Sequence, residues 1–262
     1  MKTITPILIA ALLLITSCTS QKELAYLDNL PKPSGEQYFT MTIPDYKIQT
    51  RDILYITLKA MTPDGTINDY LAGTGSGVAG SSMQGEAGGF FIGYDVKTNG
   101  NIILPVVGSV SVEGKTLEET RIILQNEFNK SYKNALIECK LLSFKFTVIG
   151  EVKVPGTYIN YNNYLTVLEA IGRAGGIGDL GRRDHVLVVR PTEKGTKTYT
   201  LNLQDKAILS SEAYFLLPND VVIVEPLKQK IFNMNLPIIS FALTTVTGII
   251  TTTLLLINYI GK

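Results

Sequence analysis

The sequence predicts an α+β fold: two small modules of α/β-sandwich type, followed by a C-terminal transmembrane helix. Three observations predict it. Apolar and polar residues alternate at the two-residue period of a half-buried sheet through the middle of the chain, as at Phe144, Phe146 and Val148. Two capping boxes, Thr116–Glu119 and Thr166–Glu169, mark helix starts among those strands. Leu236–Ile260 is 25 residues without a charge. As a helix it would reach about 37 Å, enough to cross a hydrocarbon layer of about 30 Å.

The totals narrow the function before any motif is considered. A chain of 262 residues holds one or two domains with ample core, and Lys+Arg 24 against Asp+Glu 23 leaves a net charge of +1. That balance gives no electrostatic case for nucleic acid. One His and two Cys are a thin inventory for metal or nucleophilic chemistry, so no catalytic, metal or cofactor site is expected.

The chain opens with Lys2, an apolar run from Ile7 to Ile15, and then Thr16-Ser17-Cys18. This is a secretory signal over residues 1–17, too short to span a bilayer. The Ile-Thr-Ser-Cys ending is similar to a bacterial lipobox, in which cleavage exposes the Cys for diacylglyceryl and N-acyl modification, so Cys18 is the expected lipidation site. The alternative is a plain signal peptide with Cys18 incidental. Several acyl chains hold a protein on a membrane stably where one does not. Residues 18–45, with Pro31, Pro33, Ser34 and Gly35, follow as an extended tether. Cys139 then has no partner in the mature chain, and core packing beside Ile137 and Leu141 is its expected role.

The first module covers residues 46–143. Leu54, Ile56 and Leu58 alternate along a strand after Tyr46-Lys-Ile48 and Arg51-Asp52. A Gly/Ser-rich loop occupies residues 62–92. Within it Gly75-Ser-Gly77-Val-Ala-Gly80 matches a dinucleotide fingerprint, but no strand precedes it and no helix follows to receive a pyrophosphate, so it is a loop and not a nucleotide site. Asn99-Gly100 predicts a type I′ hairpin turn. Thr116 starts a helix with Leu117, Leu124 and Phe128 on one side.

The second module covers residues 144–228. Pro155-Gly156 has the chemistry of a type II turn, with positive φ at Gly156. Thr166 starts a short helix that Gly175-Gly176 ends. Strands are expected at residues 185–190, 197–203 and 221–224. His185 beside Asp184 has the elements of a base and its orienting acid, but no nucleophile or ligand is spaced nearby, which favours a strand-edge histidine. Arg173, Arg182 and Arg183 cluster after the helix, either to touch an anionic sugar or a neighbouring subunit, or as a solvated loop.

The transmembrane helix is expected over residues 233–260. At 100° per residue Ser240, Thr244, Thr247, Gly248, Thr251 and Asn258 fall within about 100° of one another, interrupted by Leu255. Copies in a ring would turn such a stripe toward a water-filled lumen. A simple anchor would instead bond the hydroxyls back to its own carbonyls.

These motifs also carry a resemblance. Val148-x-Gly150-Glu151-Val152, Pro155-Gly156-x-Tyr158, Thr166-x-x-Glu169-Ala170-Ile171 and Ala174-Gly175-Gly176 resemble the soluble-ligand-binding β-grasp (SLBB) domain, with Pro155, Gly156, Gly175 and Gly176 as its fold-defining turns. Tyr94-Asp-Val96, Asn99-Gly-x-Ile-x-Leu-Pro105, Gly108-x-Val-x-Val112 and Thr116-x-x-Glu119 resemble the polysaccharide export domain. Together they are similar to the Wza-like outer-membrane polysaccharide export family, over roughly Tyr46 to Glu225. Two positions depart: Arg51 stands where the family has Gly, and Leu217-Pro218-Asn219-Asp220 stands for its Pro-Gly-Asp turn. The resemblance implies a non-enzymatic lipoprotein of the bacterial outer membrane, its modules in the periplasm. It implies a homo-oligomeric ring that passes capsular or exopolysaccharide outward through the lipid bilayer, and as a further partner an inner-membrane co-polymerase or tyrosine kinase. A glycan- or partner-binding lipoprotein without a pore is the alternative.

Overall fold

The computed structural model describes residues 24–30, 38–61, 67–71, 92–192 and 194–260. Cys18 and most of the 62–92 loop lie outside them. Among the described residues the chain builds a four-stranded and a five-stranded sheet, each over its own hydrophobic cluster, a two-stranded hairpin beside the first, and then a long helix.

In the first sheet β1 (Ile53–Met61) is central. β6 (Leu136–Leu141) pairs antiparallel along one side, with Leu54 opposite Leu141 and Lys59 opposite Leu136. The other side is shared by β3 (Tyr94–Asp95) near its start and β2 (Ile67–Asp69) near its end. Helix α1 (Leu117–Asn129) starts at a complete capping box, Thr116 and Glu119 each accepting the other's backbone N–H. That satisfies two donors that a helix start otherwise leaves open. Leu124 and Phe128 on its inner face are fully buried beside Ile56, Leu58 and Ile137. A two-stranded hairpin, β4 (Asn101–Leu104) and β5 (Gly108–Ser111), adds Ile102, Leu104 and Val110 to the same cluster.

The Asn99-Gly100 turn differs from a type I′ turn. Gly100 has φ +76° but Asn99 does not have positive φ. The Gly100 N–H donates to Lys97 O and the Lys97 N–H to Asn101 O, so this is a type I turn followed by a left-handed glycine. The extra residue is accommodated by Gly100 in the left-handed conformation, while Lys97 and Asn101 still bond across the turn.

The second sheet has the order β10–β9–β11–β7–β8. Its strands are β7 (Lys145–Gly150), β8 (Gly156–Ile159), β9 (Gly181–Thr192), β10 (Gly195–Leu201) and β11 (Val221–Pro226). β11 and β7 run parallel and every other neighbour pair is antiparallel. Helix α2 (Val167–Arg173) lays Val167, Ala170 and Ile171 on Phe146, Val148, Val186, Val188, Val222 and Val224. It ends as expected. Gly175 and Gly176 both have positive φ, and their N–H groups donate to Gly172 O and Ile171 O, a Schellman closure.

The expected type II turn at Pro155-Gly156 is absent, because Gly156 has no positive φ and opens β8 opposite Val148. Residues 151–155 are not a tight hairpin. They fold against the α2 end, where the Lys153 and Val154 N–H groups donate to Gly176 O and Ala174 O. The left-handed glycine sits earlier, at Gly150 (φ +94°), where an added Cβ would lie 2.0 Å from the Val224 carbonyl oxygen.

Helix α3 (Lys228–Ile260) is 33 residues long and begins five residues earlier than expected, directly after β11. Pro237 lies inside it, removing the bond to the Asn233 carbonyl.

Candidate functional site

Three features beyond the two cores invite a functional reading: the long helix, the seam between the modules, and the N-terminal segment docked on the second module.

Within Lys228–Ile257 the α3 helix holds an 18-residue stretch with a mean hydropathy of 1.8, none of it buried. Leu243, Val246, Ile249, Ile250, Leu256 and Ile257 are all open to the surroundings. A helix apolar on most sides is stable only when lipid or other helices cover it. Of the polar stripe, Ser240 donates to Pro237 O, Thr244 to Ser240 O, Thr247 to Leu243 O and Thr251 to Thr247 O. Thr245, Thr252 and Thr253 on other faces do the same. Each hydroxyl proton is thus satisfied inside the helix, which suits hydrocarbon, while each oxygen keeps a lone pair for a lumen or a neighbour. The Asn258 side chain lies outside what is described. At its base α3 is tied to the second module. The Leu227 N–H donates to Leu180 O, and Lys230 pairs with Glu151.

The seam is organised by Asp52, only 4% exposed. One carboxylate oxygen accepts from the Tyr46 hydroxyl at 2.8 Å and the Gln49 N–H at 2.9 Å. The other accepts from the Ser143 hydroxyl at 3.0 Å, and Ser143 Oγ accepts the Ile53 N–H. Ser143 ends the link from β6 to β7, so this clasp fixes where the second module leaves the first. Burial pushes the Asp52 carboxyl above its ordinary range, against the three hydrogen bonds that favour its charge. Burial, and the Asp52 charge beside it, also raise the Tyr46 phenol. Sequence reasoning placed Tyr46 and Asp52 in a strand-entry motif and missed this role, because Ser143 is 91 residues away. Beside the clasp a narrow cleft, with an enclosed volume of only about 30 Å³, is walled by Pro44, Tyr46 and Lys140 and by Tyr161 to Tyr164.

The tether is not free over its described part. The Leu27 and Asp28 N–H groups donate to Leu203 O and Gln204 O, and Leu27 packs on the second core. Asn29 donates to Asp205 and accepts the Lys206 N–H. Tyr26 lies under the Arg183 guanidinium, 5.3 Å from ring centroid to carbon.

The three arginines are neither a sugar-facing cluster nor a solvated loop, because each is bound separately. Arg173 donates to Ile159 O and Asn160 Oδ1, and Arg182 pairs with Asp184 and Glu225. Arg183 is buried and donates to Gly181 O and Ile177 O. Asp184 therefore serves Arg182, leaving His185 in the interior strand β9 with Nδ1 3.2 Å from Glu225 but out of line for a hydrogen bond. Cys139 packs on the first core, and burial pushes its thiol up to about 12, which makes it unreactive. Among the described residues no three potential metal ligands gather.

Both left-handed substitutions are accommodated. Arg51 adopts φ +73° and Asn219 φ +68°, the conformations glycine would take. Asp220 after it forms a buried bidentate pair with Arg190 at 2.8–3.2 Å.

Comparison with known proteins matches each module separately. Residues 41–141 match the family described as polysaccharide biosynthesis/export protein, and residues 144–224 match the SLBB domain. Among curated proteins the chain is similar to EPS I polysaccharide export outer membrane protein EpsA of Ralstonia nicotianae, at 32% identity over 115 residues. It is likewise similar to the protein of that name from Ralstonia solanacearum, at 31% over 141 residues. These matches cover 42% and 51% of this chain, and 29% and 36% of the relatives' length.

Proposed function

Because the chain belongs to the polysaccharide biosynthesis/export protein family, we propose that it is an outer-membrane lipoprotein whose copies form a conduit for capsular or exopolysaccharide. Cys18 carries the acyl chains, the two modules stand in the periplasm, and α3 crosses the membrane. The family is one of transport, not catalysis, and the relatives' names place them at the outer membrane.

The observation that carries the reading is the order of parts: an export-family module, an SLBB module, then an apolar helix with no cover of its own. Polysaccharide is too large and polar to cross hydrocarbon, so a single span moves nothing alone. Several copies turning the Ser240–Thr251 side inward provide a polar lining, each hydroxyl oxygen still able to accept from water or sugar. The back-bonded hydroxyls favour one competing reading, a lone anchor on a glycan- or partner-binding lipoprotein, since such a helix tolerates lipid on every side.

Particle imaging of the chain extracted in mild detergent separates the two. Closed rings are expected; monomers at every concentration sink the conduit. Lysine at Thr247 or Thr251 probes the lining: insertion survives when the position faces water and fails when it faces lipid.

A further inference from the structure

The loop from β8 to α2 reads Asn160-Tyr161-Asn162-Asn163-Tyr164, a composition that neither core explains. Asn160 is 1% exposed and fixes the loop from beneath. Its amide nitrogen donates to the carbonyls of Asn162 and Tyr164, and its amide oxygen accepts from Arg173, which also donates to Ile159 O. Its own backbone N–H donates to Phe144 O. Leu165, fully buried, anchors the loop's end, and the Tyr164 ring meets Phe215 edge to face.

This internal network leaves the outward groups unused. Tyr161 is 72% exposed and Tyr164 half exposed, and the Asn162 and Asn163 amides are exposed with no hydrogen bond among the described residues. They form one wall of the seam cleft, with Lys140 and Pro44 opposite.

We propose that the Asn160–Tyr164 loop, with the seam cleft beside it, binds a saccharide unit of the passing polysaccharide. The ligand's identity rests on the export reading; the site itself does not.

The chemistry fits a sugar. One face of a pyranose is a set of C–H groups with slight positive charge, and an aromatic face is negative, so the ring lies on Tyr161. Neighbouring sugar hydroxyls each donate and accept, and a primary amide does both from one planar group, so Asn162 and Asn163 satisfy them in pairs. Because the loop is already held, little ordering entropy opposes binding. The floor of the cleft is too narrow for a ring, so the sugar lies across its mouth with one substituent pointing in. Such shallow seating suits a transport path, where a site must release what it binds. The unused groups of the loop are two amides beside an aromatic face, which suit a ligand rich in hydroxyls; a protein partner is the alternative that particle size in the test below separates.

The test uses the full chain in a non-glycosidic detergent, since maltoside heads would compete. The probes are oligosaccharides from partial hydrolysis of the producing strain's own surface polysaccharide, with glucose oligomers for comparison. Saturation-transfer NMR is expected to show transfer to sugar ring protons. It should fall about five-fold or more in Tyr161→Ala and in the Asn162→Ala/Asn163→Ala pair, and persist in Tyr161→Phe. Particle size, read in parallel, should not change. No transfer to wild type, or equal transfer to the alanine variants, overturns the site. So do variants that break the particles apart while still binding sugar, which would make the loop a subunit contact. Monomeric particles that bind sugar sink the conduit and keep the site; rings that do not bind sugar do the reverse.

Discussion

Asp52→Ala is the substitution with the clearest consequence for how the two modules are joined. It strands three donors at once: the Tyr46 hydroxyl, the Gln49 N–H and the Ser143 hydroxyl. An unsatisfied buried donor costs about 1–3 kcal/mol. All three donor residues keep partial access to water, so the low end applies and the sum is about 3 kcal/mol. The Asp52–Ser143 bond, which ties the start of β1 to the last residue of the first module, is isolated by a double-mutant cycle with Ser143→Ala. A hydrogen bond to a charged acceptor contributes about 1.5–3 kcal/mol, and the partial exposure of Ser143 brings the expected coupling to about 1–2 kcal/mol. The assay is urea unfolding of the full chain in detergent, followed by tyrosine fluorescence, for which 13 Tyr and no Trp are available. Beyond the shift in midpoint, Asp52→Ala should split the transition in two, because the cores share little besides Leu141 once the clasp is gone. A coupling within about 0.3 kcal/mol of zero, the usual scatter of independent sites, refutes the clasp.

Three further outcomes follow from single residues. The Asp52 carboxyl is raised in the folded state, chiefly by burial, so its stabilising contribution is complete below its unfolded value and is lost as pH rises through the folded one. The stability difference between wild type and Asp52→Asn should therefore be most favourable to wild type near pH 4 and shrink toward neutrality; growth with pH would contradict the assigned direction. Arg51→Gly should stabilise by about 0.5–1 kcal/mol, since left-handed backbone costs a side-chain-bearing residue about 1–2 kcal/mol and glycine returns part as unfolded-state entropy. Arg51→Ala keeps the Cβ and should be neutral, so equal effects from both would locate the strain elsewhere. Gly150→Ala should cost about 3 kcal/mol or more, because the new methyl group meets the Val224 carbonyl where β7 pairs with β11. Gly156→Ala, whose Cβ meets only the Tyr158 ring at 3.9 Å, should cost under about 1 kcal/mol, and the reverse order of the two would restore a left-handed turn at Gly156.

What the sequence disclosed depended on whether the determining interaction was local. Both capping boxes and the Gly175-Gly176 closure are settled within six residues, and the structure reproduces them bond for bond. The alternation of Phe144, Phe146 and Val148 likewise marked the buried face. The two turn types went wrong for different reasons. Asn99-Gly100 and Pro155-Gly156 are strong hairpin signals only when the flanking strands pair across a two-residue loop. At Asn99-Gly100 Lys97 and Asn101 still bond across the turn but enclose a three-residue loop, while residues 151–155 are drawn to the end of α2, where a distant partner chose the backbone angles. The arginines failed as a cluster because adjacency in sequence says nothing about direction: Arg182 and Arg183 point to opposite faces of β9 and Arg173 reaches across to β8. The seam clasp, the docked segment around Leu27 and the use of Asn160 all join residues 90 or more apart or rest on burial, which no local pattern displays.

The docked N-terminal segment changes what the tether does. Tyr26 sits under Arg183, Arg183 holds the Gly181 carbonyl, and Gly181 is opposite Pro226, two residues before α3 begins. Leu24 is six residues beyond Cys18, a reach of at most about 20 Å. If Cys18 carries acyl chains, the lipid anchor and the membrane helix both leave from one end of the second module, and that module is held to the bilayer at two points, not one. A body held at one point can swivel; one held at two keeps a fixed face toward its neighbours. Among the described residues the first module meets the second at Leu141, which packs on both cores, beside the link that Asp52 and Ser143 hold. On that reading the second module is the part of the chain held most firmly relative to the membrane. The Asn160–Tyr164 loop belongs to that module, held from beneath by Asn160 and Arg173, so its exposed Tyr161 ring is carried on a fixed support.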